Sequence, residues 1–96
     1  MENRIEEISR LLHQAGETHH QVFAFSDGDD PDWASWYSDW LVNHSPLVEA
    51  LGSQPVRSEL TYMLVGLDKE FNRTRSGQRW EEFYATKLQE HFAASK

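Results

Sequence analysis

Apolar residues recur every three or four positions near the start of the chain, with polar residues between them. The recurring positions are Ile5, Ile8, Leu12, Ala15, His19, Val22 and Phe23. This spacing places their side chains on one face of an α-helix, so we expect a helix from about Glu2 to Phe23. The segment SDGDDP then interrupts the pattern. Because Asp30 is a good N-cap and Pro31 suits the first helical position, a second helix is predicted from Pro31 to about Asn43.

The second half of the chain predicts two more long helices. We expect LVEAL to form one short turn before Gly52 ends it. A third helix starts near Pro55 and carries the apolar positions Val56, Leu60, Met63, Leu64, Leu67 and Phe71. A fourth helix is predicted from about Gln78 to Ala93, with Ser76 as its cap. No stretch alternates apolar and polar residues as a strand does, so the predicted fold class is all-α.

The two halves of the chain repeat one pattern. The segment DWASWYSDWL aligns with RWEEFYATKL at an offset of 47 residues, and the helices before them align at an offset of 48. The corresponding residues are Trp33 with Trp80, Trp36 with Phe83, Tyr37 with Tyr84 and Leu41 with Leu88. A helical hairpin of this size cannot bury its apolar stripe alone, whereas two packed copies can close a core. We therefore predict one domain, a four-helix bundle of two pseudo-repeated hairpins at about 2–44 and 54–94, with most of these aromatic residues in its core.

Three segments of the chain resemble a group of short bacterial proteins. The segments are DPDWASWYSDWL, RSELTYMLVGLDKEF and RWEEFYATKL, and the resemblance covers most of residues 27–88. The chain resembles an uncharacterised family of short bacterial all-α proteins with a D-W-x-x-W-Y-x-x-x-L segment. The resemblance implies the helical fold and implies no established activity.

Composition and charge exclude several classes of function. The chain has 96 residues, of which 39% are hydrophobic and 26% charged, a mix typical of one globular domain. It contains no cysteine, which excludes disulfides, thiol catalysis and thiolate metal sites. The net charge is −7, with two arginines against ten acidic residues in positions 1–50. A surface of this sign repels nucleic acid.

The N-terminal segment MENRIEEISR lacks the apolar stretch of a signal peptide, and no run approaches the length of a membrane span. We therefore expect a cytoplasmic protein that binds neither nucleic acid nor membrane. A homo-oligomer is compatible with the sequence.

One predicted surface suits contact with another protein. Trp40 corresponds in the repeat to Lys87, which indicates a position near the surface. The loop before this helix holds four acidic residues, Asp27, Asp29, Asp30 and Asp32. Exposed aromatic side chains are typical of contact surfaces. Our leading hypothesis is a protein-binding or accessory module that meets a protein partner through Trp40 and this acidic loop.

A second hypothesis, from a different class, is a small-ligand binder or enzyme with a pocket between the hairpins. His19 falls in the middle of the apolar stripe, so when buried it needs a hydrogen-bond partner, for which tyrosine hydroxyls and tryptophan N–H groups are available. The candidate pocket residues are His19, Trp33, Trp36, Tyr37 and Tyr84. The alternative is a satisfied histidine in an aromatic core. No nucleophile and base motif identifies catalytic residues.

Two groups of residues have the chemistry of metal ligands. The four loop aspartates offer oxygen ligands for Ca²⁺ or Mg²⁺, but counted from Asp27 the EF-hand pattern fails at Asp32 and Ser38. The second group, His13, Glu17 and His20, shares one face of the first helix, and that face is the polar one. We expect no metal and no cofactor.

Overall fold

Five α-helices and one short 3-10 turn occur in the part of the chain that the computed structural model describes, residues 3–74 and 77–93. They are α1 (Asn3–Val22), the 3-10 turn (Ala24–Ser26), α2 (Trp33–Asn43), α3 (Leu47–Leu51), α4 (Arg57–Thr74) and α5 (Trp80–Phe92). No strand occurs within these ranges, so the all-α fold class is confirmed. None of these helices is long and apolar enough to cross a membrane.

Local chemistry sets the helix ends. The second helix begins at Trp33, two residues later than predicted, and the carboxylate of Asp30, its predicted N-cap, accepts hydrogen bonds from His19 in α1 and from the Asp32 N–H. Gly52 ends α3 with a φ of 77°, a left-handed conformation that glycine adopts without strain. The last helix begins at Trp80, and Ser76, its predicted cap, lies outside the described residues.

Leucine side chains from all five helices form the core. The fully buried apolar residues are Ile8, Leu11, Leu12, Ala15, Leu41, Leu47, Leu51, Leu60, Leu64, Ala85 and Leu88. Full burial of one such leucine contributes about 1.5 to 3 kcal/mol relative to exposure. Helix α1 packs mainly against α5, and α2 packs mainly against α4. The short helix α3 packs against α1, so the connection between the hairpins belongs to the core.

The two ends of the packed helices bring different segments of the chain together. At one end, the Arg4 guanidinium donates a hydrogen bond to the Leu51 carbonyl at 3.4 Å, and the Ser53 hydroxyl donates to the Phe92 carbonyl. The start of α1 and the end of α5 therefore meet the same short segment, and we call this end the linker pole. At the other end, the end of α1 and the start of α2 face the end of α4 and the start of α5. We call it the cleft pole.

The aromatic stripe is less buried than the sequence predicts. Tyr84 is 5% exposed and belongs to the core. The other members are only partly buried, namely Trp33, Trp36, Tyr37 and Trp80. Several of them pack against the core with part of the ring and leave the rest accessible. The expectation that these side chains simply fill the core is therefore wrong for the part of the stripe near the cleft pole.

Val56 also departs from its predicted position on an apolar helix face. It precedes α4 and is 62% exposed, whereas Ile8, with which the repeat pairs it, is fully buried. The correspondence between the two halves fails at this end of α4, where α3 intervenes without a counterpart in the first hairpin.

Candidate functional site

A cleft of about 400 Å³ opens between the two hairpins at the cleft pole. The residues that line it are His19, Gly28, Trp33, Tyr37, Asp68, Phe71, Asn72, Trp80 and Tyr84. The first wall comes from α1, α2 and the loop between them, and the second wall comes from α4 and α5. Sites for small molecules in proteins have volumes of about 300 to 1,000 Å³, so the cleft has a suitable size.

Each wall presents a tryptophan packed against a tyrosine one helical turn away. In the first wall, the ring centroids of Trp33 and Tyr37 are 5.5 Å apart and the ring planes meet at 88°. In the second wall, the rings of Trp80 and Tyr84 are 5.1 Å apart and meet at 76°. The i, i+4 spacing places both rings of a pair on one side of their helix, and the edge-to-face arrangement is favourable. Each wall therefore carries two aromatic rings in nearly perpendicular planes.

His19, near the end of α1, is bound by a carboxylate from the loop. Its Nε2 donates a hydrogen bond to Oδ2 of Asp30 at 3.0 Å, and the two side chains are only 8% and 9% exposed. The imidazole also stacks on Phe23 with 4.7 Å between ring centroids and lies 5.0 Å from Trp36 and 5.4 Å from Tyr37. The prediction that a buried His19 has a hydrogen-bond partner is confirmed, but the partner is an aspartate and not a tyrosine or tryptophan.

The loop between α1 and α2 folds so that Asp30 reaches His19. Oδ1 of Asp30 accepts a hydrogen bond from the backbone N–H of Asp32 at 3.0 Å, while Oδ2 binds His19. The Gly28 N–H donates to the Phe23 carbonyl at 2.8 Å, with a φ of 84° that strongly favours glycine. Both carboxylate oxygens of Asp30 therefore accept hydrogen bonds, and the bond to His19 holds the loop against the end of α1.

The second wall carries the carboxylate of Asp68, which forms no ion pair with a lysine or arginine within residues 3–74 and 77–93. Oδ1 of Asp68 accepts hydrogen bonds from the Tyr84 hydroxyl at 3.5 Å and the Asn72 amide at 3.4 Å, both long for such bonds. Within residues 3–74 and 77–93, Oδ2 of Asp68 has no hydrogen-bond partner, and no lysine or arginine lines the cleft. Burial, and then the Asp68 charge, raise the pKa of Tyr84, so its hydroxyl stays protonated and remains a donor.

A close approach of helices lies beside the cleft. A Cβ atom on Gly16 would lie 3.3 Å from the Tyr37 hydroxyl and 3.7 Å from the Trp80 ring, so the glycine makes room for both. Burial, and then the charge of Glu81, raise the pKa of Tyr37. Glu81 is itself buried, and it accepts a hydrogen bond from Nδ1 of His13 at 3.1 Å.

The structure brings most of the predicted pocket residues together. Those that line the cleft are His19, Trp33, Tyr37 and Tyr84. Trp36 contacts the His19 ring but does not line the cleft. The predicted pocket missed five of the lining residues, namely Gly28, Asp68, Phe71, Asn72 and Trp80. The repeat could have revealed Trp80, because it pairs with Trp33, whereas no sequence pattern separates Asp68 and Asn72 from ordinary polar residues of a helix surface.

The residues of the predicted partner surface have different environments. Asp27, Asp29 and Asp32 are exposed, whereas Asp30 is bound to His19. Trp40 is partly buried, so it packs against the core and keeps some accessible surface.

Neither set of potential metal ligands converges. Across the described ranges, no group of three or more histidine and acidic side chains is placed to hold a metal ion. The imidazole of His13 lies between the two carboxylates of Glu17 and Glu81, with 3.1 Å to each, so it separates these groups. Both ring nitrogens of His13 face acceptors, an arrangement that suits the protonated imidazole.

Comparison of the chain with models of known protein families, with curated proteins and with solved structures gives no match. The fold and site define a small all-helical protein with an aromatic cleft between two pairs of helices.

Proposed function

We propose that this protein binds a small molecule in the cleft between its hairpins. The observation that carries the proposal is the convergence of two Trp–Tyr pairs on one cavity, Trp33 with Tyr37 and Trp80 with Tyr84. Both tryptophans line the cavity and keep accessible surface, so their rings are available for contact with a ligand. Ligand sites typically combine such apolar walls with a few fixed polar groups, which His19 and Asp68 supply here.

A pseudo-symmetric origin of the bundle supports this proposal. We infer that the α1–α2 and α4–α5 hairpins are equivalent copies related by an approximate twofold axis. If the two hairpins are exchanged, α1 takes the place of α4 and α5 takes the place of α2. The contact of α1 with α5 then corresponds to the contact of α4 with α2, and both contacts are extensive. Equivalent tryptophans and tyrosines then reach the cleft from opposite sides, which places the cleft close to the axis.

The same inference predicts that truncation of Leu41 and of Leu88 lowers the free energy of unfolding by similar amounts. The two residues occupy corresponding positions of the repeat, and both are fully buried. Leu41→Ala and Leu88→Ala should each lower the free energy of unfolding by about 3 kcal/mol, measured by urea denaturation. Losses that differ by more than about 2 kcal/mol would contradict the equivalence of the two positions.

The protein-contact hypothesis has less support from the structure than the cleft. Its central aromatic residue, Trp40, is partly buried like Trp33 and Trp80 but does not line the cleft, and Asp30 already binds His19. The exposed acids Asp27, Asp29 and Asp32 remain as its surface, together with Phe25, which is 85% exposed. A pull-down with Phe25→Ser compared with the parent chain tests it, and equal recovery of any captured protein counts against this loop as a contact.

Tryptophan fluorescence tests the proposed ligand site directly. Trp33 and Trp80 line the cleft, whereas Trp40 does not. Titration with a panel of cationic, neutral and anionic metabolites should give a saturable change in emission for at least one class. Trp33→Phe and Trp80→Phe should each reduce that change, and Trp40→Phe should retain it, which makes Trp40→Phe the matched control.

Two results of this titration would contradict the proposal. If no compound of the panel changes either the emission or the melting temperature at millimolar concentration, the cleft does not bind these molecules and the proposal fails. If the signal survives in Trp33→Phe and Trp80→Phe but disappears in Trp40→Phe, ligands bind elsewhere on the bundle.

A further inference from the structure

The charge and the aromatic surfaces of the cleft select among ligand classes. Asp68 is held at one oxygen by Tyr84 and Asn72, and its other oxygen has no hydrogen-bond partner in the described part of the chain. A carboxylate so placed can accept one further donor or lie beside one positive charge. The polar group that the second wall offers to a ligand is therefore negative.

The first wall adds no positive charge that could offset Asp68. The titratable groups on that wall are His19, whose Nε2 is bound to the carboxylate of Asp30, and Tyr37, whose raised pKa keeps its hydroxyl neutral. If the imidazole is neutral, the ionised pair carries one negative charge, and if the imidazole is protonated, the pair carries none. No lysine or arginine from residues 3–74 and 77–93 lines the cleft. An anionic ligand would meet repulsion from Asp68 in the second wall and no compensating positive charge from the first.

The aromatic rings favour a cation for an independent reason. The face of an indole or phenol ring carries negative electrostatic potential, and a cation within about 6 Å of the ring centre is attracted by it. The perpendicular rings of Trp33 with Tyr37 and of Trp80 with Tyr84 supply several such surfaces around one volume. Aromatic cages of this kind recognise quaternary ammonium groups.

We propose that the ligand of the cleft is a small organic cation of the alkylammonium class, with its charge beside Asp68 and its methyl groups against the Trp–Tyr pairs. This proposal rests on the function proposed above, because it names the ligand class of the same cleft. The net charge of −7 also raises the local concentration of cations near the protein. A compact, weakly hydrated cation fits a partly apolar cavity better than a divalent metal ion, which requires several oxygen ligands.

Choline and 3,3-dimethylbutan-1-ol provide a test with a matched pair of probes. The two molecules have nearly the same shape, but the alcohol has carbon in place of the charged nitrogen. Their dissociation constants can be compared by tryptophan fluorescence and by isothermal titration calorimetry. Choline should bind at least about tenfold more tightly, since a desolvated cation–π contact and a carboxylate together exceed the free energy of one decade in affinity.

The variant Asp68→Asn tests the same proposal by a change in the protein, because it removes the charge of the side chain and keeps its shape. It should lower choline affinity by about tenfold and leave the affinity for the alcohol within about twofold. Asp29→Asn is the matched control, since it makes the same change in net charge at an exposed loop position outside the cleft. That variant should bind choline like the parent chain.

Each outcome decides a different question. Equal affinity for choline and its neutral isostere, or tighter binding of an anion such as benzoate, overturns the cation proposal while the cleft remains a ligand site. A parental preference for choline in Asp68→Asn also overturns it. If neither probe binds and no compound of the wider panel binds, the proposed ligand site itself fails. The comparison of probes on the parent chain does not depend on the folding of any variant.

Discussion

The two walls of the cleft carry the same pair of aromatic residues but use their polar residues differently. In the first wall, the histidine and aspartate satisfy each other, since Nε2 of His19 and Oδ2 of Asp30 are 3.0 Å apart in a nearly buried pair. In the second wall, Asp68 accepts two long hydrogen bonds from the described residues, from Tyr84 and Asn72. The comparison separates a polar pair that stabilises the fold from a polar group that is available to a ligand.

The sequence positions of these groups fit that division. The repeat pairs His19 with Leu67, so the second hairpin has an apolar residue where the first has a buried imidazole. The loop of the first hairpin must then supply Asp30, because a buried polar side chain without a partner is costly. The second hairpin needs no such partner, and its carboxylate lies one residue later, at Asp68, facing the cleft.

The largest effect is expected when the His19–Asp30 pair is broken. Asp30→Ala leaves a buried imidazole and the Asp32 N–H without their acceptor, so the free energy of unfolding should fall by about 3 to 5 kcal/mol. Asp29→Ala, at the exposed neighbouring position, should change it by no more than about 0.5 kcal/mol. Urea denaturation with a constant m-value measures both. A loss below about 1 kcal/mol for Asp30→Ala would show that the pair does not stabilise the fold.

A smaller difference is expected between two helical glycines. Gly66 has open space around it, so Gly66→Ala should stabilise α4 by about 0.5 to 1 kcal/mol. At Gly16, the same methyl group would lie 3.3 Å from the Tyr37 hydroxyl, and displacement of that ring should cancel the gain. Thermal denaturation of the two variants compares them. Equal stabilisation by both would mean that Tyr37 moves freely and that the first wall is not rigid.

The smallest effect concerns His13, which is outside the cleft and exposed. Its hydrogen bond to Glu81 raises its pKa above the ordinary value of 6.5, burial opposes this rise, and the charge of Glu17 adds to it. Arg79, with Nε 3.6 Å from Oε1 of Glu81, also faces this acid. Because the folded-state pKa is the higher one, the resulting stability is fully present below pH 6.5 and is lost as the pH rises through the folded-state value.

Proton NMR titration of the imidazole measures this shift. Glu81→Gln should lower the pKa of His13, and Glu82→Gln, at the exposed neighbouring position, should leave it nearly unchanged. His13→Gln should also flatten the fall of stability across this pH range. An unchanged titration of His13 in Glu81→Gln would show that the contact between α1 and α5 at this point does not persist in solution.

The helical architecture could be predicted because periodicity reports which residues share a face. The apolar stripe of α1 and the offset between the two Trp–Tyr segments predict helices and the residues that come together in the cleft. The same pattern could not predict how deeply the rings are buried. Trp33 and Trp80 have the spacing of core residues, yet both remain partly accessible because the helices separate at the cleft pole.

The polar contacts of the site could be predicted less well from the sequence. His19 could be recognised by its place in an apolar stripe, but its partner depends on a turn that returns Asp30 to the helix it has just left. Asp68 and Asn72 are separated by four residues on α4, as many surface residues are. Their significance arises only from the packing of α4 beside α5, which places Tyr84 and the cleft next to them.

The linker pole determines how this protein can be attached to other molecules. Residues 51–53 hold the start of α1 at Arg4 and the end of α5 at Phe92, so both ends of the described chain lie at that pole. Arg4 and His19 are separated by about 22 Å along the axis of α1, at 1.5 Å per residue. A surface tether or a fused reporter at either end should therefore leave the cleft open to solution, which suits the molecule to immobilised-ligand assays.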